Sequence, residues 1–481
     1  MSLEAAGSDP GGESVKRYLP WLVAVALFME NLDATILNTA VPTMSAALGV
    51  APLSLKSVLT SYTLSLAVFI PVSGWMADRF GTRRVFMMAV SLFTVGSLAC
   101  GLSLNLPMLV ASRILQGLGG AMMTPVGRLA LVRTFPRSEL MRAMQFVVIP
   151  ALIAPLLGPF TGGLIVHWLP WRVIFLVNLP FGLVGLWLVF RYMPDFREPA
   201  APPLDRVGFL LFGAGVGLLS YVLEVFGEHR LSLLGVAGLA LLSFLLLGGY
   251  WWHARRIESP MLSLTLLRVR TFRVAVLGGF VTRLGLGGMP FLLPLLYQLG
   301  LGYPAWQAGL FTMPQALAAM GMKVVGRKML SRFGHRTILI SNTVLLGVII
   351  GCFGLVGPGT PIMCILGLSF GLGFIASLQF TSMNTLVYAD VDDQHASQAG
   401  SIASTGQQMS LSFGVACGGM LAAWYLGNVD QTIAVQTIPA LHKAFLTMAG
   451  ITIVSALTFR TLQSADGNNV SNRVVRVVEA H

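Results

Sequence analysis

The first apolar stretch of the chain carries two acidic residues at a depth where a membrane would make them costly. It runs from Leu19 to Pro42, long enough to cross a bilayer as a helix, and it contains Glu30 and Asp33. Three residues apart, their carboxyl groups occupy neighbouring positions on one helix face. Asp33 lies about 15 residues, or roughly 22 Å, from the start of the stretch, too deep for easy snorkelling to the interface. Such carboxyls usually pair with a cation, face a water-filled cavity or carry a proton. The alternative is a pair of acids near a helix end whose side chains extend to the membrane interface.

The composition also indicates a membrane protein. Of 481 residues, 55% are hydrophobic and only 10% are charged, and the mean hydropathy is +0.77. Soluble chains carry about 25% charged residues, so an all-α polytopic membrane protein is predicted. The apolar runs give fourteen candidate spans, at about 19–42, 53–76, 84–104, 106–128, 143–165, 171–192, 206–226, 232–253, 272–299, 306–326, 337–356, 361–386, 399–425 and 441–461.

Basic residues are distributed unevenly between the two sides of these spans. Of the 31 Lys and Arg residues, two lie inside spans and twenty-five fall on the side of the N-terminus, leaving Lys56, Arg172, Arg230 and Lys443 for the other side. Positively charged loops stay in the cytoplasm, so both termini are predicted to be cytoplasmic. Because the net charge of +12 follows this pattern, it does not indicate a nucleic-acid partner.

The loop after the second span carries a dense pattern of glycines and charges. Its members are Gly74, Asp78, Arg79, Gly81, Arg83 and Arg84. Glycines permit a tight turn, and the acid can form charge-assisted contacts with arginines at helix ends. A generic positively charged loop is the alternative, but the ordered succession of residues is more specific than that.

The fourth span places an arginine inside the membrane. Arg113, Gln116, Gly117 and Gly120 share one helix face by the 3.6-residue period, and the small residues allow a neighbouring helix to approach closely. Arg113 lies roughly 10 Å below the outer end of its span, a depth comparable to that of Asp33. The sequence therefore allows an intramembrane ion pair, or a shared water cavity, between these two residues.

The fifth span is rich in glycine and proline. Gly158, Pro159, Gly162 and Gly163 are expected to form a bend and a close-packing stripe. Ordinary packing of a glycine-rich helix explains these physical properties equally well. The order of the glycines and prolines in this stretch is more specific than their number.

An internal repeat predicts two bundles of six helices. The Arg-Phe-Gly-x-Arg motif of 79–83 recurs at 332–336, and the glycine spacing of the fifth span recurs in the thirteenth at nearly the same offset. Spans 7 and 8 then form an inserted two-helix hairpin, and a substrate site is expected between the bundles at the membrane midplane. The predicted divisions are a cytoplasmic segment 1–18, a first bundle 19–193, a linker with the hairpin 194–270, a second bundle 271–462 and a cytoplasmic tail 463–481.

Four ordered motifs make the chain resemble the major facilitator superfamily, in particular its fourteen-helix drug:proton antiporter branch. The motifs are 32–42 in the first span, Gly74–Arg84 in the loop, Arg113–Gly120 in the fourth span and Gly158–Gly163 in the fifth. Ala154 stands where the antiporter motif usually starts with Gly, and the second copy of the loop motif is degenerate. The resemblance covers about 19–462 and implies a monomeric, proton-coupled efflux transporter of the bacterial inner membrane that works by alternating access.

The resemblance also implies roles for residues. Asp33 is the first candidate for the proton carrier and Glu30 the second, with Arg113 as their modulator. The loop motif and the Gly158–Gly163 motif would govern the conformational change. A carboxyl that gains or loses a cationic partner changes its proton affinity, which is the property a proton carrier needs. Two carboxyls this close would titrate as a coupled pair.

Candidate substrate-binding residues are Arg283, Asn38, Gln116 and Gln315. Arg283 lies roughly 16 Å into the ninth span. It either bonds backbone carbonyls of a glycine-kinked helix or holds a carboxylate-bearing substrate. Gln315 is read first as an interhelical hydrogen-bond partner and second as a ligand.

Other classes of function are disfavoured to different degrees. No phosphate-binding loop of the Gly-x-x-x-x-Gly-Lys-Ser/Thr type occurs, which argues against an ATP-driven pump. The histidines are scattered and the four cysteines fall in spans, so no enzyme, metal site or cofactor is expected. An exporter of organic acids or their metal chelates and an uncoupled facilitator share the fold and remain open alternatives.

Overall fold

The computed structural model describes residues 10–198, 203–226, 232–392, 395–427 and 434–471, and within those ranges the regular elements are all helical. The α-helices are α1 (Pro10–Ile36), α2 (Val41–Leu48), α3 (Lys56–Phe80), α4 (Thr82–Gly101), α5 (Leu106–Thr134), α6 (Arg137–Trp168), α7 (Val173–Leu176), α8 (Asn178–Tyr192), α9 (Arg206–Phe226), α10 (Leu233–Ala254), α11 (Arg270–Arg273), α12 (Gly279–Gly287), α13 (Met289–Leu295), α14 (Ala305–Phe333), α15 (His335–Phe353), α16 (Ile362–Leu386), α17 (Ala396–Leu426), α18 (Ala434–Ser455) and α19 (Asn468–Ser471).

Thirteen helical segments in these ranges are long and apolar enough to cross a membrane, so the chain is a multi-pass membrane protein. The predicted tenth span, 306–326, corresponds to α14, which is not among the thirteen. Its two glutamines and four basic residues make it less apolar than the others, although it packs between α6 and α16. The predicted count of fourteen is therefore not confirmed.

The helices pack as two groups of six with a hairpin beside them. In the first group α1 packs on α6, and α5 packs on both α3 and α4. In the second group α12 packs on α17, α14 on α16 and α15 on α18. The two groups meet through α3 with α17 and α6 with α14. The hairpin helices α9 and α10 pack on each other, and α9 also lies against α3 and α17, covering the seam between the groups.

Several boundaries differ from the predicted ones. Helix α1 already starts at Pro10, within the segment predicted to precede the first span, and parts of 1–18, 194–270 and 463–481 lie outside the described residues. The first span is broken after Ile36, because Pro42 in the first turn of α2 cannot donate a helical hydrogen bond back to the preceding turn. Asn38 therefore lies in a turn and not on a helix.

The ninth span is irregular, although its backbone is helical throughout. It consists of the short helices α11, α12 and α13 with π-helical turns at Val274–Gly278 and Leu296–Gly300. Gly288 separates α12 from α13, and Pro290 stands in the first turn of α13. The residues at these joints keep right-handed helical dihedrals, so Arg270–Gly300 continues as one helical segment.

The glycines of the fifth span pack against two different partners. Carbon atoms added at Gly158 and Gly162 would collide with Thr35 and with the Ile36 backbone, so these two glycines seat α6 on α1. One added at Gly163 would collide with the Ala305 carbonyl of α14, in the other bundle. The stripe thus serves both packing within a bundle and contact between bundles.

The repeated glycines of α17 behave in the same way. A carbon added at Gly414 would lie 2.7 Å from Gly287, and one added at Gly418 would lie 3.2 Å from Gly288. Both contacts lie within the second bundle. A carbon added at Gly419 would lie 2.8 Å from Lys56 of α3, in the first bundle. The two bundles therefore repeat one packing scheme, in which the third glycine crosses to the other bundle.

We call the end of the bundles where α1 begins the N-terminal face and the other end the opposite face. The largest cluster of buried apolar residues mixes both bundles and includes Leu37, Leu292 and Tyr297, near the opposite face. The cluster around Val23 belongs to the first bundle, whereas the one around Phe272 combines the second bundle with the hairpin. The bundles are thus joined by a shared core at the opposite face.

Candidate functional site

Asp33 is fully buried and accepts hydrogen bonds from three side chains. Arg113 Nη1 lies 2.5 Å from Asp33 Oδ2, forming the ion pair that the matching depths of the two residues allowed. Gln116 Nε2 and Asn178 Nδ2 each donate to Asp33 Oδ1 at 2.8 Å. A buried carboxylate needs donors as well as a counter-charge, and here both are supplied.

Arg113 is fixed from several directions. Its Nε donates to the Val58 carbonyl at 3.2 Å, and its Nη1 also donates to Gln116 Oε1 at 2.7 Å. Its guanidinium carbon lies 4.1 Å from the ring centroid of Tyr62, a cation–π contact. An added carbon at Gly120 would lie 3.1 Å from the Tyr62 hydroxyl oxygen, so this glycine gives the ring room beside α5. The predicted face of the fourth span thus forms the wall of the site.

Asn178 was not predicted from the sequence. It is the first residue of α8, and it also donates to Ser97 Oγ at 3.0 Å. An amide inside an apolar run, followed two residues later by Pro180, is the signal that could have identified it. Ser97 in turn accepts from Gln116 Nε2 at 3.2 Å, so the site continues into α4.

Glu30 lies one helical turn from Asp33 but has a different partner. Thr124 of α5 donates to Glu30 Oε2 at 2.5 Å. Among the described residues, the two carboxyls share no hydrogen-bond donor. The hydroxyl of Tyr62, on the opposing helix α3, is buried without a hydrogen-bond partner in the described part of the chain.

Arg283 lies apart from this cluster, on α12 in the second bundle. Its side chain is 5% exposed, its Nη2 approaches Asn384 Oδ1 at 3.4 Å and its guanidinium lies 5.0 Å from the Phe380 ring centroid. Its Nε is buried without a hydrogen-bond partner, and no described carboxylate forms an ion pair with it. The predicted bonding of Arg283 to backbone carbonyls is not among the contacts of the described residues.

The other predicted substrate residues do not converge on one point. Gln116 belongs to the Asp33 cluster. Asn38 lies in the turn after α1 with a buried side-chain oxygen that has no partner among the described residues. Gln315 is half-buried on α14, where its backbone packs against Gly373 of α16. Next to Asn38, the Thr39 carbonyl accepts from Gln298 Nε2 at 2.9 Å, a hydrogen bond between the bundles.

The loop motif after α3 contacts other elements of the first bundle. Asp78 pairs with Arg133 at the end of α5, at 2.8 Å, and not with the arginines of its own loop. Gly81 has a φ of 95° that favours glycine, and a side chain there would collide with Asp195. The Arg83 backbone N–H donates to Asp195 Oδ1 at 3.3 Å and its side chain to the Phe190 carbonyl. Gly74, Arg79 and Arg84 are exposed.

A family model described as the Major Facilitator Superfamily matches residues 23–415. The chain belongs to the major facilitator superfamily. Membership in this superfamily makes the chain a transporter and not an enzyme, in agreement with the names of its relatives. The helical fold and the resemblance drawn from the four motifs are thereby confirmed.

Two bacterial relatives from the superfamily illustrate the similarity. A protein of Serratia proteamaculans named multidrug resistance protein MdtD is 40% identical over 443 residues, which is 91% of this chain and 92% of that protein. A protein of the same name from Yersinia enterocolitica is 40% identical over 457 residues, covering 93% and 96%.

Solved structures of similar fold are also transporters. A bacterial homologue of the human lysosomal transporter Spinster, in an inward-facing and unoccupied conformation, superposes with a TM-score of 0.66 at 13% identity, covering 98% of this chain and 100% of that one. The nucleoside transporter NupG superposes with a TM-score of 0.66 at 12% identity, covering 92% and 99%. At these identities the similarity concerns the fold alone.

Proposed function

We propose that this superfamily member is a proton-coupled exporter of drugs or other small organic molecules that works by alternating access. The observation that carries the proposal is the buried Asp33 with its three donors, Arg113, Gln116 and Asn178. The multidrug resistance names of the bacterial relatives support the substrate class.

The geometry supports a proton-carrying role for Asp33 because the acid and its partners lie on three different helices. Arg113 and Gln116 belong to α5, Asn178 to α8, and the acid itself to α1. A relative movement of α1 against α5 would take Arg113 and Gln116 away from a carboxyl that is still buried, and would leave Asn178 of α8 as a donor. Such a carboxyl gains proton affinity, whereas restoring the partners lowers it again. Glu30 is the second candidate, since it lies on the same face and contacts Thr124 of α5.

The contacts between the bundles support alternating access. Where α6 meets α14 and α3 meets α17 they include close approaches of small residues, as at Gly163 with Ala305 and Ser412 Oγ donating to the Thr60 carbonyl at 3.1 Å, beside the shared apolar core near the opposite face. Contacts between small residues let the helices of two rigid bodies move past each other, and opening at the opposite face would also separate the side chains of the shared core. The motif residues from Gly158 to Gly163 would set this seam, and the loop from Gly74 to Arg84 would brace the first bundle at the N-terminal face.

The expected setting is the bacterial inner membrane with both termini cytoplasmic, as the distribution of basic residues predicts. The N-terminal face is then the cytoplasmic face. The partners would be a small-molecule substrate, protons and the lipid bilayer, with the monomer as the working unit, because the repeat already supplies both halves of the site.

Transport in proteoliposomes under an imposed pH gradient tests the proposal. A cationic dye and citrate serve as paired substrates, in the native protein and in Asp33→Asn and Glu30→Gln. Gradient-driven dye movement that is lost in Asp33→Asn is expected. Full gradient-driven transport by this variant would overturn the assignment of Asp33, and transport of both substrates that ignores the gradient would indicate a facilitator.

A matched double variant separates loss of the proton carrier from loss of structure. Asp33→Asn alone leaves Arg113 buried without a counter-charge. Asp33→Asn combined with Arg113→Gln removes both charges, so the protein should recover most of the stability lost in Asp33→Asn and still fail to couple transport to protons. Recovery of coupling in the double variant would contradict the proposal.

A second candidate function is the export of organic acids or their metal chelates, and one observation favours it. Arg283 is buried, aromatic Phe380 lies beside it, and no described carboxylate pairs with it. A buried guanidinium without a counter-ion is costly, and a carboxylate-bearing substrate would supply one.

The same proteoliposomes distinguish this second function. Arg283→Gln should abolish citrate movement and leave dye movement intact, because only the anion needs the guanidinium. Unchanged citrate movement in Arg283→Gln would remove this candidate, and citrate movement without dye movement in the native protein would make it the first.

A further inference from the structure

The inserted hairpin carries two parallel tryptophan–arginine pairs where α10 ends. The Arg255 guanidinium lies 3.6 Å from the ring centroid of Trp251, and that of Arg256 lies 3.8 Å from the ring centroid of Trp252. Each pair joins residues i and i+4, so consecutive residues repeat one contact side by side along the helix. We call these four residues the Trp–Arg shelf.

The shelf is exposed and its cations are available. Trp251 is 48% and Trp252 is 56% exposed, and both arginines are exposed as well. Neither Arg255 nor Arg256 forms an ion pair with a described residue. The nearby acid Asp205 is already engaged by His253 at 2.8 Å and by the Gly208 backbone N–H at 2.7 Å. A guanidinium held against an indole keeps its N–H edges free for a planar anion or a phosphate.

An uncovered apolar surface continues from the shelf along α10. Leu241, Leu242, Phe244 and Leu245 are all exposed, and the main packing partner of α10 among the described helices is α9. This surface faces lipid in a membrane protein. A ligand of the shelf would therefore carry acyl chains beside α10 and an anionic group at its end.

We propose that the Trp–Arg shelf binds the headgroup of an anionic phospholipid. The charge on the shelf selects the phosphate of an anionic lipid, whereas a zwitterionic lipid brings its own cation to the same place. The indoles lie at the level of the headgroups, where amphipathic rings are most stable, and hold the guanidinia in position. This inference does not depend on proton coupling or on the exported substrate.

Glu258 lies two residues after Arg256, and its substitution should have the opposite effect on lipid binding. It is exposed and lines a cavity of about 550 Å³ together with Asp205, Arg206 and His253. Its carboxylate opposes an anionic ligand near the shelf. Replacing it should strengthen binding, which no loss of folding can imitate.

Native mass spectrometry of the whole protein, after exchange into mixed micelles of detergent with equal amounts of phosphatidylglycerol and phosphatidylcholine, tests the proposal. The native protein should retain phosphatidylglycerol in preference to phosphatidylcholine. Arg255→Gln with Arg256→Gln should weaken that retention about thirtyfold, since each arginine at a membrane surface contributes roughly a five- to sixfold preference. Glu258→Gln should increase it.

Arg332→Gln is the matched control, because Arg332 is also exposed and lies 5.4 Å from the centroid of the Phe333 ring at the end of α14. It should leave phosphatidylglycerol retention unchanged. Equal retention of the two lipids by the native protein would overturn the proposal. So would a loss in Arg332→Gln as large as the loss in the double variant, because the preference would then reflect overall charge and not the shelf.

Discussion

The Arg113 guanidinium lies over the ring of Tyr62, 4.1 Å from its centroid, while the hydroxyl of that ring is buried without a described hydrogen-bond partner. The ring and the hydroxyl therefore contribute differently. The ring stabilises the cation that it faces. The hydroxyl is buried and forms no hydrogen bond with a described residue, so the cost of its burial is not offset. The two contributions can be separated by substitution.

Tyr62→Phe should leave the stability of the protein unchanged or raise it slightly, because the buried hydroxyl it removes is unsatisfied. Tyr62→Leu should lower the free energy of unfolding by about 2 kcal/mol or more, because it removes the cation–π contact with the buried Arg113. Thermal unfolding in detergent measures both. If Tyr62→Phe were as destabilising as Tyr62→Leu, the hydroxyl would have a partner after all.

Asp33→Asn should lower the free energy of unfolding by about 3–5 kcal/mol, because Arg113 would remain buried without its counter-charge. The double variant Asp33→Asn with Arg113→Gln should recover most of that loss, since a neutral pair of amides replaces the ion pair. Denaturant or thermal unfolding of the two variants measures the difference. Equal instability in both would show that the ion pair does not determine the cost.

Gly309→Ala should weaken the contact between the bundles at the opposite face. A carbon added at Gly309 would collide with the Pro159 carbonyl of α6, whereas one added at Gly321 on the same helix would meet no atom within 4 Å. Distances between spin labels on α6 and α14, measured by electron paramagnetic resonance, should lengthen near the opposite face in Gly309→Ala. They should stay the same in Gly321→Ala, and matching changes in the two variants would contradict the assigned contact.

Asp78→Asn and Gly81→Ala should differ in their effects on stability. The Asp78–Arg133 pair is about one-third exposed on each side, so its loss should cost about 1 kcal/mol at most. Gly81→Ala forces a side chain into the left-handed region and against Asp195, and should cost more than Asp78→Asn. Unfolding temperatures test the order. Loss of transport in Asp78→Asn with an unchanged unfolding temperature would support the proposed role of the loop in the conformational change.

The sequence was most informative about features that depend on position along a helix. Depth along two spans allowed the pairing of Asp33 with Arg113, and glycine spacing predicted the stripe of α6 and its repeat in α17. These inferences need only the helical rise and period. The all-helical fold follows from the membrane, because a spanning segment must satisfy its backbone hydrogen bonds internally.

Features that depend on contacts between distant segments could not be predicted. Lys56 was placed among the residues of the outer side, yet its side chain is fully buried against Gly419 and donates to the Glu224 carbonyl of α9 at 3.0 Å. Asn178 reaches Asp33 from α8, which packs against α1. Such partners follow from how helices are arranged around one another, which the period of a single helix does not specify.

The four charged side chains of the Asp33 and Arg283 regions would make the proposed transport cycle sensitive to the membrane voltage. If both Glu30 and Asp33 are ionised, their charges cancel those of Arg113 and Arg283, and each bound proton adds one positive charge to the membrane interior. Moving one elementary charge through the field changes the free energy by about 2.3 kcal/mol per 100 mV. In the proposed antiport, exchange of one proton for a neutral molecule moves one positive charge inward, exchange for a monovalent cation moves none, and exchange for a monovalent anion moves two. The voltage dependence of transport would therefore report the charge of the exported molecule.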